Sequence, residues 1–164
     1  MKIFDCFMFY DEELLLDIRL NILDKYIDFF VIVESEYFHN GKKRQLKFDI
    51  NKFKNFKKKI IYVVHKNEPS GIIRINDKDD EDTKSYKLIT NAHLRENDQR
   101  NHISRGLTEA DNNDLILISD VDEIPNFNSI DLSRVKNQIV MFEQEIFYYK
   151  FNRYLPNFKW FGTK

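Results

Sequence analysis

The chain has 164 residues, the span of one domain, and its 26 basic and 27 acidic side chains leave a formal net charge of -1. That balance gives no basic footprint for nucleic acid or another polyanion, and no apolar run nears the roughly 18 residues of a membrane span. With 42% hydrophobic and 15% aromatic residues, the chain can fill one core and line a sugar or base site as well.

Lys2–Phe7 predicts a first strand, interrupted by Asp5. Cys6 is the single cysteine; it excludes an intrachain disulfide and is expected as a buried thiol. Such usage fits a reducing compartment, and MKIFDCF carries no signal-peptide pattern, so a cytoplasmic protein is expected. After the acid-rich FYDEE, residues Leu14, Leu15, Ile18, Leu20, Ile22 and Leu23 recur at helical spacing, with Asp11 as N-cap. FFVIV, from Phe29 to Val33, predicts a second strand that ends on Glu34. Glu34 is either a solvated strand end or an acceptor for a ribose or base edge, since ligands lie beyond the carboxyl ends of such strands.

HNGKK, from His39 to Lys43, predicts a turn in which Gly41 takes positive φ. Phe48, Phe53 and Phe56 predict a short amphipathic helix with a solvated lysine face. IIYVV, from Ile60 to Val64, predicts a third strand, followed by His65 in a structural role. The polar stretch Glu68–Lys84 predicts a mobile loop, its Asp77/Asp79 and Asp80/Asp82 pairs being loop charge. Tyr86–Ala110 predicts a long helix with Leu88, Ala92, Leu94, Ile103 and Leu107 on a partial apolar face. On it, Arg95 and Gln99 stand one turn apart, as do Glu96 and Arg100. Two readings stay open there: an ordinary Glu96–Arg100 surface pair, or an arginine facing a phosphate or an acid cluster.

The most informative stretch is Asp114–Pro125, DLILISDVDEIP. Leu115–Ile118 is an aliphatic run without polar alternation, as in a strand buried on both faces. Asp120, Asp122 and Glu123 follow at its carboxyl end, and Pro125 closes the segment. Asp120 and Asp122 fall on one side of an extended chain. Carboxylates that close repel unless a cation intervenes, and an oxygen-only donor set suits Mn²⁺ or Mg²⁺ completing its shell with phosphate oxygens. Asp131–Val135 then predicts a short helix, and Gln138–Phe142 and Ile146–Phe151 two further strands.

Strands alternating with helices argue for an α/β fold with a mostly parallel central sheet flanked by helices, in a single domain spanning residues 1–164. No G-x-G-x-x-G follows the first strand, and no G-x-x-x-x-G-K-[ST] occurs anywhere, which disfavours a dinucleotide dehydrogenase and a P-loop NTPase. A nucleotide-sugar enzyme that grips phosphate through a cation fits better.

Four segments together resemble one family. They are DCFMFYDEELLLDIRLNIL with its L-x-x-R-L helix, FVIVESEYFHNGKKR, LRENDQRNHISRGL with R-E-x-x-Q-R, and LILISDVDEIP with D-x-D-E-I-P. In order and spacing they resemble the glycosyltransferases related to β-1,4-mannosyl-glycoprotein β-1,4-N-acetylglucosaminyltransferase, the transferase of bisecting GlcNAc. The resemblance implies a GT-A-type, Rossmann-like fold, here a short version without later family elements. It implies a metal-dependent inverting transferase moving a GlcNAc-like sugar from a UDP-sugar to a glycan or glycoconjugate acceptor. By motif position, Asp120 and Asp122 would hold Mn²⁺ or Mg²⁺ and the diphosphate. Glu34 would face the nucleoside, and Arg95, Glu96, Gln99 and Arg100 would line the donor side. Inversion needs a base for the acceptor hydroxyl. Glu143 and Glu145 are the only acids after Asp131, and no motif marks either, so the catalytic residue stays unassigned. A GT-A-like domain that binds a nucleotide or glycan without turnover is the alternative.

Overall fold

The computed structural model of the chain describes residues 1–135, 139–150 and 152–162. Its centre is a parallel sheet of four strands: β1 (Ile3–Phe9), β2 (Phe29–Ser35), β3 (Ile60–His65) and β4 (Leu115–Ser119), in the order β3-β2-β1-β4. Helix α1 (Glu13–Leu23) connects β1 to β2, and helix α2 (Glu81–Asn101) precedes β4. This is the expected α/β architecture, a parallel sheet flanked by helices. No helix among the described residues is long and apolar enough to cross a membrane.

The continuous apolar runs reflect burial on both sheet faces. Phe7, Phe9, Phe30, Ile32 and Leu117 pack with Leu16, Leu20 and Leu23 of α1. Phe4, Cys6, Val31 and Val33 point the other way and pack with Ile103, in the 3₁₀ turn His102–Gly106 that continues α2. Gly106 is needed at that contact, because a Cβ there would lie 2.4 Å from Val31 Cγ1. Cys6 is a buried free thiol, and burial together with the Asp5 carboxylate pushes its pKa well up, away from reactivity.

Several expectations change. The inward stripe of α1 is Leu16, Arg19, Leu20 and Leu23, whereas Leu14 and Ile22 face solvent. Counting apolar residues alone displaced the stripe, because one of its members is an arginine. Asp11 is not the N-cap; Glu12 occupies that position, and its Oε2 accepts the backbone N–H of Tyr10 and of Asp11. Helix α2 begins five residues earlier than expected. Asp80 caps it by accepting the Thr83 N–H at 2.7 Å, and Glu81 and Asp82 lie in its first turn. Acids favour that end of a helix for its unpaired N–H groups and positive dipole, so the charge read as loop is the start of the helix. The α2 helix stops at Asn101 and buries only Asn91 and Gln99 among its own residues, with Leu88 exposed. The loop before it is fastened to it: Asn91 Oδ1 accepts the Ile73 N–H, and Asn91 Nδ2 donates to the Ile73 carbonyl, both at 2.8 Å.

Phe53 and Phe56 are buried as expected, but in 3₁₀ turns over Ile50–Phe56 rather than an α-helix. Leu132–Arg134 is likewise a single 3₁₀ turn. Of the expected strand Gln138–Phe142, Gln138 lies outside the described residues, and only Phe142 is in a strand. The end of Ile146–Phe151, Phe151, also lies outside them, and Tyr148–Lys150 form a turn. The strands present are β5 (Phe142–Phe147) and β6 (Tyr154–Gly162), an antiparallel pair apart from the main sheet. Its register shifts between Glu145 and Phe147, opposite Pro156 and the positive-φ Asn157, which is how a proline is accommodated in a strand.

Candidate functional site at the strand switch point

From β1 the chain builds β2 and β3 to one side, then returns to lay β4 on the other, pairing Ile3 with Leu115 through Phe7 with Ser119. Sheets of this kind open a crevice at the carboxyl ends of the strands where the order reverses. A cavity of about 630 Å³ lies there. Met8, Phe9, Tyr10 and Glu12 line it from the end of β1, and Asp120, Val121 and Asp122 from the end of β4. Phe38, His39 and Asn40 close a third side, and Glu96 and Gln99 of α2 a fourth.

Arg19 shapes the acidic wall. Its guanidinium is fully buried and pairs in bidentate fashion with Asp5, Nε to Oδ2 at 2.8 Å and Nη2 to Oδ1 at 2.6 Å. Nη2 also donates to Ser119 Oγ at 2.5 Å. Nη1 donates to the carbonyls of Asp120, Val121 and Glu123 at 2.9, 3.1 and 3.1 Å. One arginine thus ties Asp5 of β1 to the end of β4 and holds the chain bent back just past it. Glu123 closes the same turn, accepting the Asp120 N–H on Oε2 at 3.1 Å and the Trp160 indole N–H on Oε1.

The acids expected to act together do share one cavity wall. Arg100 donates through Nη2 to Asp120 Oδ1 at 3.1 Å and to Glu96 Oε1 at 3.2 Å, so it makes the surface pair within α2 and also reaches the acid at the end of β4. Asp122 is exposed on the cavity rim. Partial loss of solvent, and then the carboxylates of Asp120, Glu123 and Glu12, hold its pKa above the usual range, against a lowering bond from its own backbone N–H. Carboxylate oxygens of Asp120 and Asp122 are the hard donors that could hold a divalent ion such as Mn²⁺ or Mg²⁺.

The other expected residues lie one step back. Gln99 is buried and donates to the Val33 carbonyl at 3.1 Å, while still reaching the cavity wall. Arg95 bonds Glu68 Oε1 at 2.7 Å and the His39 carbonyl at 3.0 Å, and its guanidinium packs against Gly41, whose φ is +85° as expected of the turn. Glu34 is fully buried. Its oxygens accept the N–H of Lys47 at 2.7 Å and of Phe48 at 3.0 Å, the Tyr62 hydroxyl at 2.7 Å, and a contact from Arg44 Nη1 at 2.9 Å. In this position it anchors the segment from Arg44 to Phe48.

Sequence reasoning gave no site role to Tyr10, Glu12, Phe38 or His39, nor to Arg19 and Arg44 behind them. Arg44 donates to the Ser35 and Tyr10 carbonyls and stacks over the Tyr10 ring at 4.2 Å. The usable signal was FYDEE: it follows a buried strand just as DVDE does, and the same end-of-strand rule applies to it.

No curated protein and no solved structure matches the chain. A family model does match it, over residues 1–163. The match covers nearly the full length, and the parallel α/β sheet is consistent with it: the chain belongs to glycosyltransferase family 17.

Proposed function

We propose that this glycosyltransferase uses a UDP-sugar, GlcNAc-like in its sugar, as donor and a glycan or glycoconjugate as acceptor, inverting the anomeric centre on a GT-A-type site. The observation that carries the reading is the pair Asp120 and Asp122 on one wall of a cavity at the switch point of the sheet. Asp122 and the oxygen of Asp120 not bonded to Arg100 would hold the Mn²⁺ or Mg²⁺ ion. When bound, that ion supplies Lewis-acid stabilisation of charge on the departing diphosphate. Arg100 orients Asp120 and adds positive charge beside the phosphates. Glu96 and Gln99 form the α2 wall of the donor site, and Arg95 supports it by holding the His39 carbonyl. Glu34, fully buried and off the cavity lining, acts at one remove by holding Arg44, which in turn holds the Tyr10 carbonyl at the cavity wall. In the transfer, the acceptor oxygen bonds to the anomeric carbon as the bond to the diphosphate oxygen breaks, and the acceptor proton passes to a carboxylate base.

Calorimetry with UDP-GlcNAc, run with Mn²⁺ and again with EDTA, tests the donor. Binding is expected with Mn²⁺ and is expected to fall below detection with EDTA. The Arg100→Ala variant should bind the donor at least about tenfold more weakly, a loss of about 1.4 kcal/mol. Its thermal midpoint should move little, since the pair is partly exposed. Donor binding indifferent to EDTA would remove the cation from the reading. An Arg100→Ala variant that lost stability and donor affinity in parallel would return Arg100 to a structural role.

A further inference from the structure

His65, at the end of β3, is 1% exposed and lies between two partners. Its Nδ1 is 3.0 Å from Ser35 Oγ, and its Nε2 is 2.7 Å from Asp98 Oδ2. His102, one helical turn after Asp98, stacks edge-on against the His65 ring with centroids 4.3 Å apart. Its Nδ1 is 2.9 Å from the Asp98 carbonyl, which accepts only, so Nδ1 carries the proton and Nε2 keeps its lone pair. A ring nitrogen from each histidine and a carboxylate oxygen of Asp98 all lie within 4.8 Å of one another.

We propose that His65, Asp98 and His102 form a second cation site, for a borderline divalent ion such as Zn²⁺. Two imidazoles and one carboxylate suit Zn²⁺ far better than the oxygen-preferring Mn²⁺ or Mg²⁺ of the acid pair. Each imidazole has an outer partner of the kind that orients a metal-bound histidine: Ser35 Oγ for His65 and the Asp98 carbonyl for His102. Without metal, the His65 ring is held between Ser35 Oγ at Nδ1 and Asp98 Oδ2 at Nε2. With metal, its proton resides on Nδ1 and is donated to Ser35 Oγ, which already accepts the Tyr37 N–H, and the Nε2 lone pair turns to the ion. Three protein ligands leave a fourth position to water. Asp98 and His102 flank Gln99 and Arg100 in sequence, so an ion here would pin the end of α2 that presents those two side chains. The inference stands independently of the identity of the sugar donor.

The test is a Zn²⁺ titration of the full chain, stripped with EDTA and dialysed, followed by calorimetry and by thermal unfolding. The wild type and Asp122→Asn are both expected to bind one Zn²⁺ per chain and to gain thermal stability from it. His102→Ala and Asp98→Asn should each lose about 100-fold or more in affinity, since even outer partners of metal ligands cost 10–100-fold when removed. Two variants are used so that the loss of either fold leaves the other to decide. Undiminished Zn²⁺ affinity in either folded variant, no binding by the wild type, or a loss that follows Asp122→Asn instead would each overturn the site.

Discussion

Replacing Arg19 with methionine is expected to lower folding stability by about 3–5 kcal/mol, the usual result of stripping one partner from a buried ion pair. For a chain of this length that corresponds to a fall of roughly 6–20 °C in thermal midpoint. The expectation rests on what would remain: the Asp5 carboxylate, fully buried, would lose both of its arginine bonds. The carbonyls of Asp120, Val121 and Glu123 would lose their donor in the same step. A double replacement, Asp5→Leu with Arg19→Leu, separates the two roles. It removes the orphaned charge and should recover much of the stability, because apolar substitutes for a buried pair are often neutral or better. It leaves the turn after β4 without its brace, so transferase activity should stay low. Urea unfolding and a transfer assay on the two variants check this. An Arg19→Met variant within about 1 kcal/mol of wild type would show that the knot adds little beyond packing.

Asp122→Asn is expected to give the largest functional loss. Removing one carboxylate from the proposed cation site should abolish Mn²⁺-dependent donor binding and reduce transfer by at least about 100-fold, as for removal of one group that stabilises transition-state charge. The fold should not suffer. In the metal-free chain, Asp122 carries a charge disfavoured by partial desolvation and by neighbouring carboxylates, so its folded-state pKa is raised. A raised carboxyl costs stability above that pKa, and the cost disappears as pH falls below the unfolded value. The amide removes that cost, so the metal-free variant should unfold at an unchanged or slightly higher temperature at neutral pH. Loss of activity with no loss of stability is the signature of a residue kept for chemistry. Unchanged donor affinity with Mn²⁺ would remove Asp122 from the site, and a destabilised variant would make it structural.

The sheet was readable because its strands are buried on both faces and spell themselves as uninterrupted apolar runs. The acid pair was readable for a related reason, since a buried strand delivers its end to a crevice. What escaped depends on partners distant in sequence. Arg19 interrupts the apolar stripe that would have located the α1 face, and all of its acceptors but Asp5 lie about a hundred residues away. Glu34 was read as a solvated strand end or a ribose or base acceptor, yet it is fully buried among residues 44–62, and no pattern in FVIVES announces them. Asp80 was misread because a helix N-terminus and a polar loop favour the same residues. Strand β6 was hidden by Pro156 and by an aromatic run, FYYKF, that looks more strand-like than the turn it mostly forms. The sequence also pointed to Glu96, Gln99 and Arg100 but offered no means to tell cavity wall from surface pairing; the approach of Arg100 to Asp120 needs the β4 register to bring them together.

The pairing of β1 with β4 has a consequence for how the molecule is assembled. Asp5 and Arg19 are close enough in sequence to meet as soon as the first helix forms, but Ser119 joins them only after another hundred residues have been made. Until then the edge of β1 from Ile3 to Phe7 has no neighbouring strand, and long-range closure of this kind is slow and prone to aggregation. Pulsed hydrogen exchange during refolding should show the β1–β2 amides protected before those of β4. Simultaneous protection would mean that the nascent edge is never left open. The last strand of the sheet to arrive is the one that delivers the acids, so the crevice is completed only when the sheet is.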